Sequence, residues 1–360
     1  MVRQYIIGCL LLLGTVACSA RPIVYNGDTL PVNKDFVKTQ CGTLDIKENI
    51  IEVSGIACSR VTPGYIWMQS DETERYIIAT DKEGAKRYMT VRFDKRIRWD
   101  WEDMSGGVYD GKDYLFIGAF GDNEETDGNY SIVYFEEPPI TFDTITITPN
   151  CIKYVYPDGK KHNAEALMYD NIEQMIYVIT KVYYDVCQVF RIPFRLDYGD
   201  EEQTLEYICD LGVKSDLGTG AKPYRGFHLV TAADISPDGK FILIKNHNNI
   251  VAAFCWVLMW TRDGEESVAE TLKRQPENLA CYNMYEWQGE AICWLDSTLF
   301  YTTSDADDGN PPIFQYVKTH VGIESVQADD NGKAAKIFLG DMMYIRNKEG
   351  LYTIDGRKVQ

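Results

Sequence analysis

The chain has 360 residues, of which 45% are hydrophobic and 25% are charged, as expected for a globular protein with a packed core. Its formal net charge is −18, and such an acidic surface repels phosphates, which argues against nucleic acid as a partner. Tyr, Phe and Trp number 24, 14 and 7, and this aromatic content favours strands over helices.

Residues 1–20 have the pattern of an export signal. Arg3 provides a short positive end, an apolar run continues to about Leu13, and small residues follow. The run is shorter than the roughly 18–20 residues that a membrane-spanning helix needs. Cys18 follows "TVA" and resembles the lipidated cysteine of a bacterial lipoprotein. We therefore predict lipidation of Cys18, with cleavage after Ala20 as the alternative.

Eight of the ten cysteines follow this segment, and none forms a CxxC pair, so neither a zinc ribbon nor a thioredoxin-like site is predicted. Most lie in apolar stretches such as "AFCWVLMW", which predicts packing in the core. Export permits one or two disulfides, but the spacing of the cysteines does not say which of them pair.

Five stretches share one pattern: a small or acidic pair, a turn with Pro, Gly or Asp, and a five- or six-residue apolar run. Aligning them on Gly55, Asp103, Ala166, Asp234 and Ala291 gives intervals of 48, 63, 68 and 57 residues. Strand–turn–strand units at such periods predict an all-β fold, a β-propeller with five visible blades. A sixth blade requires a degenerate unit within residues 210–232.

Third strands follow in each unit, for example "RYIIATD" and "PIFQYVK", and outer strands come next, such as "ITITPNCIKYVYP" and "TLEYICDLG". The last unit has no outer strand. We predict that "CGTLDI", at residues 41–46, supplies it and closes the ring. The propeller then occupies residues 21–320, and residues 321–360 form a small β tail of two or three strands.

Five motifs in this order carry a family resemblance: "DWEDM", "GDN", "NAEAL", "VTAADISPDG" and "QGEAI". Over about residues 50–318 the chain resembles a bacterial family of secreted β-propellers. That family is loosely similar to esterase-like phytase and lactonase-type propellers, which hold calcium or another divalent metal in the central channel. At "KNHN", residues 245–248, the chain departs from the family's Arg-Thr-Tyr type of segment.

The tail, with "GIESV" and "MYIRNKEGLYTIDGRKV", resembles the C-terminal sorting domain of Bacteroidetes type IX secretion cargo. This resemblance implies a Bacteroidetes source and a place in the cell envelope. Together with lipidation of Cys18, it predicts a protein anchored to the outer membrane or cell surface, or secreted.

The innermost strand of each blade lines the central channel of a propeller. On the alignment above, Glu102, Glu165 and Glu290 occupy equivalent places, and Asp103 and Asp234 lie one place further on. The ends of the second strands add further polar side chains to the same mouth: Asp71, Asp122, Asn123, Lys181, Asn246, His247, Ser304 and Asp305.

Converging carboxylates need a counter-charge, and calcium suits oxygen ligands of this kind. The candidate metal ligands are Glu102, Asp103, Asp122, Asn123, Glu165, Asp234, Glu290 and Asp305. Alternatively a carboxyl keeps its proton, or Lys181, Lys245 or His247 neutralises the cluster. Candidate catalytic residues are Glu102, Glu165, Glu290 and His247, the last as a general base. For the aspartates, structural hydrogen bonding is the favoured interpretation.

Two functions remain open from the sequence. The first is a monomeric binding module for a small molecule, a glycan or an envelope protein, with calcium as the candidate ion of its acidic channel. The second is a metal-dependent hydrolase of phosphoesters or lactones. Because no nucleophile–base pair is recognisable in the sequence, we favour the binding module.

Overall fold

The computed structural model describes most of the chain, in these ranges: 24–25, 28–47, 50, 52–71, 76–95, 97, 100–182, 186–214, 229–247, 255–280, 286, 288–305, 309–319, 335–339, 342–347 and 350–353. The predicted signal with Cys18 lies outside the described residues, as do residues 321–334 of the predicted tail.

Two blades come from the first half of the chain, after the short strands β1 (Val24–Tyr25) and β2 (Asp28–Thr29) and the longer β3 (Phe36–Thr43). Blade 1 contains β4 (Val53–Cys58), β5 (Tyr65–Ser70), β6 (Tyr76–Asp81), β7 (Met89–Phe93) and, from further along, β11 (Thr144–Ile147). Blade 2 contains β8 (Trp101–Tyr109), β9 (Lys112–Ala119), β10 (Tyr130–Glu136), β12 (Asn150–Val155) and β16 (Gln203–Thr204).

The other three blades have four strands each. Blade 3 contains β13 (Ala164–Asp170), β14 (Met175–Thr180), β15 (Gln188–Pro193) and β17 (Glu206–Asp210). After β18 (Val213–Lys214), blade 4 contains β19 (Leu229–Ile235), β20 (Phe241–His247), β21 (Cys255–Thr261) and β22 (Glu277–Ala280). Blade 5 contains β23 (Ala291–Asp296), β24 (Leu299–Thr303), β25 (Pro312–Lys318) and β3.

The inner strands β4, β8, β13, β19 and β23 contact one another in this order, and β23 contacts β4, so the five sheets form a ring. Five apolar clusters fill the five gaps between neighbouring blades. Both faces of each sheet are therefore buried, as the continuous apolar runs of β13 and β20 require. The protein is a five-bladed β-propeller, and the described residues contain no sixth blade.

The N-terminal part of the chain closes the ring, as predicted, because β3 pairs antiparallel with β25. The predicted bounds were too late: the paired strand is Phe36–Thr43, whereas "CGTLDI" spans residues 41–46. The core prediction for cysteines is confirmed for Cys58, Cys187, Cys209, Cys255 and Cys293, which are all buried.

Two predicted outer strands are each divided between neighbouring blades. In "ITITPNCIKYVYP", β11 pairs in parallel with β7 of blade 1, whereas β12 belongs to blade 2. In "TLEYICDLG" and the residue before it, β16 pairs in parallel with β12 of blade 2, and β17 belongs to blade 3. Pro149 separates the first two strands, and Leu205 separates the second two. The apolar pattern predicts strands here, but it does not say which neighbour each pairs with.

Outside the blades, β1, β2 and β18 form a small sheet, and β26 (Ala335–Leu339), β27 (Met342–Asn347) and β28 (Gly350–Thr353) form a separate antiparallel sheet. The latter confirms the predicted strands of the tail. The one helix in the described ranges is α1 (Val268–Thr271), which begins with a capping box between Ser267 and Glu270. In the described part of the chain, no helix is long and apolar enough to cross a membrane.

Candidate functional site: the acidic mouth of the channel

Four inner strands carry an irregularity in register at their first residues, and these positions hold the polar side chains of the channel. The shifts bracket Ser54 in β4, Glu102 and Asp103 in β8, Glu165 in β13 and Thr231 in β19. A β-bulge re-aims the side chain of its extra residue. The bulges therefore place polar side chains where the inner strands begin, at one mouth of the ring.

Glu102, Glu165 and Glu290 converge on Lys181 at this mouth, and we call these four residues the acidic mouth. Lys181 follows β14 and forms a salt bridge with Glu165, with only 9% and 5% of the two side chains exposed. Lys181 also interacts electrostatically with Glu290 and Glu102. The structure thus brings together three of the sequence-predicted residues from blades 2, 3 and 5, with a lysine among them.

Negative charge exceeds positive charge here. Burial, followed by Glu165 and Asp100, raises the pKa of Glu102 well above its usual value. Burial likewise raises the pKa of Glu290 well above its usual value, against the opposing effect of Lys181. Burial would lower the pKa of Lys181, but the three glutamates outweigh it and raise that pKa. Lys181 therefore stays charged, whereas the raised pKa values of Glu102 and Glu290 favour their protonated forms.

Two glycines of the sequence motifs make room for this arrangement. A Cβ on Gly121, in "GDN", would collide with the carboxylates of Asp100 and Glu102. A Cβ on Gly289, in "QGEAI", would lie 2.7 Å from Cys255 Sγ and from the side chain of Lys245. Gly121 thus lets two carboxylates pack closely, and Gly289 lets Cys255 and Lys245 approach the backbone beside Glu290.

His247 and Asn246 end β20 in blade 4 and are buried. Burial, followed by Lys181 and Lys245, lowers the pKa of His247 to about 3, so the imidazole is neutral at pH 7. Within the described residues, His247 Nδ1, Asn246 Oδ1 and Gln69 Oε1 are buried without a hydrogen-bond partner. A buried polar atom of this kind costs about 1–3 kcal/mol until a ligand or water satisfies it.

Lys245 has a different role from Lys181. Its Nζ is completely buried and donates to Glu286 Oε1 at 2.9 Å and to Thr303 O at 2.8 Å. The other oxygen of Glu286 accepts from Lys38 on β3, also at 2.8 Å. Burial would raise the pKa of Glu286, but Lys245 and Lys38 lower it to about 2. Lys245 therefore joins blade 4 to the closing strand through Glu286 and does not neutralise the three glutamates.

Asp103 holds three blades together from beneath the mouth. Its Oδ1 accepts from its neighbour Met104 N, and its Oδ2 accepts from Leu167 N in blade 3 and Ala233 N in blade 4, at 2.9–3.0 Å. With its oxygens occupied by N–H groups, this fully buried carboxylate has the structural role expected for it.

Asp234 lies elsewhere than the repeat alignment predicted. The bulge residue of blade 4 is Thr231, so Asp234 is three residues further along β19 and lines a cavity at the opposite mouth. It accepts from Trp294 N at 2.7 Å and from Ser105 Oγ at 3.1 Å. The alignment was two residues out here: Gly55 and Ala166 directly follow the bulge residues of their strands, and the equivalent position in β19 is Ala232.

Asp122 organises the loop after β9. Its carboxylate accepts from the N–H groups of Thr126, Asp127 and Gly128 and from the hydroxyl of Tyr130 at 2.8–3.2 Å. These bonds outweigh burial and lower its pKa. The neighbouring Asn123 is exposed and accepts from Asn163 Nδ2.

The remaining predicted residues lie at the ends of second strands in blades 1 and 5. Asp71 follows β5 and Asp305 follows β24, and both interact electrostatically with Glu290. Asp305 Oδ2 also accepts from Gln288 Nε2 at 2.6 Å. Ser304 is buried beside Asp305. Both aspartates add to the negative charge of the acidic mouth.

A cleft of about 790 Å³ leads to Lys181 from outside. Its walls come from blades 2 and 3 and are strongly polar, with Asn123, Glu124, Lys161, His162, Asn163 and Lys181 among them. His162 contacts Asp158 through Nε2 at 3.0 Å. The cleft is large enough for a drug-sized or saccharide-sized ligand.

The calcium prediction meets two obstacles in this geometry. Asp103, Asp122 and Asp234 use their oxygens for protein donors, and Lys181 lies among the three glutamates. Across the described ranges, no group of three or more His, Cys, Asp and Glu side chains is arranged to hold a metal ion. In this conformation the described residues do not fit a calcium site.

Sequence reasoning missed Glu286, Lys38 and Gln69. Glu286 stands in "YNMYEWQ", outside every repeat motif, and Lys38 belongs to the closing strand. Gln69 donates through Nε2 to the carbonyl of Glu102 and thereby fixes the bulge of blade 2. The sequence did contain a signal for Gln69, because it lies near the end of a second strand, two residues before Asp71, which was predicted from that position.

Comparisons with known proteins find solved structures that are similar only at low sequence identity. No protein-family model matches the chain, and no curated protein matches it. Among solved structures, it is similar to a structural genomics protein of unknown function from Bacteroides thetaiotaomicron, with 11% identity and a TM-score of 0.37 over 80% of this chain and 73% of that one. It is also similar to Raptor from Chaetomium thermophilum, with 9% identity and a TM-score of 0.33 over 94% of this chain and 26% of that one. Likenesses this weak carry no argument about function.

Proposed function

We propose that the chain is an exported binding module of the cell envelope that holds a polar ligand, a small molecule or glycan, in the cleft above the acidic mouth. One observation carries the proposal: Lys181, on which three buried glutamates from three blades converge, lines an open polar cleft. Charged groups buried without full mutual neutralisation are costly, and binding sites are where such groups are retained.

Binding is favoured over catalysis by a cysteine nucleophile because the thiol beside His247 is inert. Cys255 pairs across the strands with His247, but its Sγ donates to Glu286 O at 3.0 Å. Burial raises the pKa of this thiol to about 12, so it is not a thiolate at neutral pH. His247 is neutral, and among the described residues its Nδ1 has no hydrogen-bond partner from which it could take a proton.

The ligand experiment uses the chain from residue 21 onward, labelled and applied to an oligosaccharide array. We expect retention on a subset of glycans, lost at least tenfold in Lys181→Met and in Glu165→Gln. Lys153→Met is the matched control, because Lys153 lies on the outer strand of blade 2 and is 54% exposed. Binding that survives both mouth substitutions would place the ligand elsewhere.

Calcium and hydrolysis are tested in parallel. Melting is measured with EDTA, then with added calcium, on the wild type and on Glu165→Gln. A calcium-dependent rise in the melting temperature that Glu165→Gln removes would mean that the ion displaces Lys181 from the glutamates. Turnover in a phosphatase, lactonase and esterase panel with metal supplied would replace the binding proposal by the hydrolase.

The envelope location is a separate part of the proposal. The support is the signal-like segment and Cys18 in the sequence. Cys18→Ala should release the protein from the membrane fraction of the cells that make it. An unchanged distribution between membrane and soluble fractions would remove the lipid anchor from the proposal.

A further inference from the structure

Two buried thiols meet where the ring closes. Cys58 ends β4 in blade 1 and Cys293 lies in β23 of blade 5, so they face each other across the interface of the first and last blades. Their Sγ atoms are 3.4 Å apart, although 235 positions separate the two residues in the chain. Both cysteines are free in this structure.

We propose that Cys58 and Cys293 are a redox modification site and that they form a disulfide in an oxidising compartment. A disulfide has an S–S distance of about 2.05 Å, so the two sulfurs need to approach by roughly 1.4 Å. The surrounding cluster contains Ile56, Ile66 and Tyr301, which hold both thiols side by side. The proposal rests on the proposed export, because disulfides persist outside the reducing cytosol.

A cavity gives an oxidant access to this pair. It has a volume of about 280 Å³ and lies at the mouth opposite the glutamates, where the inner strands end. Cys58 lines it together with Ser59, Arg60, Asp234 and Trp294. Cys58 is 7% exposed and Cys293 only 1% exposed, so Cys58 meets the oxidant first.

The oxidant is a disulfide, either a small molecule or the active-site disulfide of an oxidoreductase. Cys58 gives up its proton and attacks one donor sulfur, which releases the first donor thiolate and leaves a mixed disulfide on Cys58. Cys293 then gives up its proton and attacks Cys58 Sγ, releasing the second thiolate. The two thiolates take up the two protons, so the donor is reduced to two thiols while the pair loses two hydrogens. Burial, followed by the contact with Cys58, raises the pKa of Cys293, which slows the second step.

Such a bond covalently closes a ring that is otherwise held by the pairing of β3 with β25. A crosslink spanning so much of the chain strongly restricts the unfolded state. The disulfide would also fix β23 against β4 of blade 1. Because β23 begins directly after Glu290, this holds one strand of the acidic mouth in place.

The test uses purified protein from residue 21 onward, first reduced and then treated with oxidised glutathione. We expect a mass loss of about 2 Da, a non-reduced peptide joining Cys58 to Cys293, and a melting temperature higher by roughly 5–10 °C. Cys58→Ala with Cys293→Ala should abolish the oxidant-dependent shift, and Cys187→Ala should retain it.

Each shift is measured within one variant, so loss of stability from the substitution itself does not obscure the result, and peptide mapping of the wild type needs no variant. Absence of the crosslinked peptide, or pairing of either cysteine with another such as Cys281, overturns the proposal. The lipid anchor has its own test in Cys18→Ala, and ligand binding has the array, so the disulfide proposal can fail while either of those stands.

Discussion

Lys181 and Glu165 form a salt bridge within blade 3, and both are almost completely buried beneath the open cleft. The pair joins the residue after β14 to the bulge of β13, so it fixes the bulge and supplies the positive charge of the acidic mouth. Glu102 and Glu290 share the same ammonium group at longer range. The lysine therefore has three acidic neighbours, whereas each glutamate has one basic neighbour among these four residues.

This asymmetry predicts unequal effects of removing the two partners. Lys181→Met leaves three carboxylates without a cation and should destabilise the fold by about 3–5 kcal/mol. Glu165→Gln leaves Lys181 with two glutamates and should cost less. A double-mutant cycle by urea unfolding should give a coupling of about 1–3 kcal/mol. Equal losses in the two single variants, or a coupling near zero, would contradict the shared role of Lys181.

The lowered pKa of Glu286 predicts that the folded protein loses stability in acid. Its folded pKa of about 2 lies below an unfolded value near 4.5, so the carboxylate stabilises the fold above that value. This contribution, about 3 kcal/mol, should be lost as the pH falls from about 4.5 to 2. The difference in unfolding free energy between the wild type and Glu286→Gln is expected to be largest above pH 5 and to shrink below it. Glu265→Gln, a change at an exposed loop position, serves as the control.

Asp103 predicts a large cost for a nearly isosteric change. In Asp103→Asn, an amide NH₂ replaces one oxygen that accepts backbone N–H groups, leaving at least one buried donor unpaired. We expect a loss of about 2–4 kcal/mol in the free energy of unfolding, measured in urea. Asp110→Asn is the matched control, because Asp110 is exposed and has a φ of 50° that asparagine tolerates well. A loss below 1 kcal/mol for Asp103→Asn would refute its role as a tie between blades.

The closing strand predicts a change in association state. Without residues 24–43, β25 becomes an open edge with unpaired backbone groups. We expect this truncated protein to form dimers or larger aggregates in size-exclusion chromatography with light scattering. Removing residues 321–360 should leave the propeller monomeric with an unchanged melting temperature. A monomeric, stable protein after loss of β3 would show that closure does not depend on it.

The sequence was sufficient for the architecture because blade strands bury both faces, and this makes each a short apolar run between turn signals. Glu102 and Glu165 were matched correctly since each lies at the start of such a run. Asp234 was misplaced and Lys245 was grouped with Lys181, because bulges and the partner of a buried charge depend on tertiary packing. Glu286 shows this most clearly: nothing in "YNMYEWQ" indicates that two lysines from distant strands will reach it.

The divided segments at 144–155 and 203–210 have a consequence for how the chain could be cut. Since β11 completes blade 1 and β16 completes blade 2, excising residues 101–155 as one blade would also strip its predecessor of an outermost strand. The first three blades are thus not interchangeable modules. New termini for a circular permutant belong at the exposed hairpin turn of Gly111, or at Gly159 in the exposed loop between blades 2 and 3. At either place neither shared segment is separated from both of its sheets.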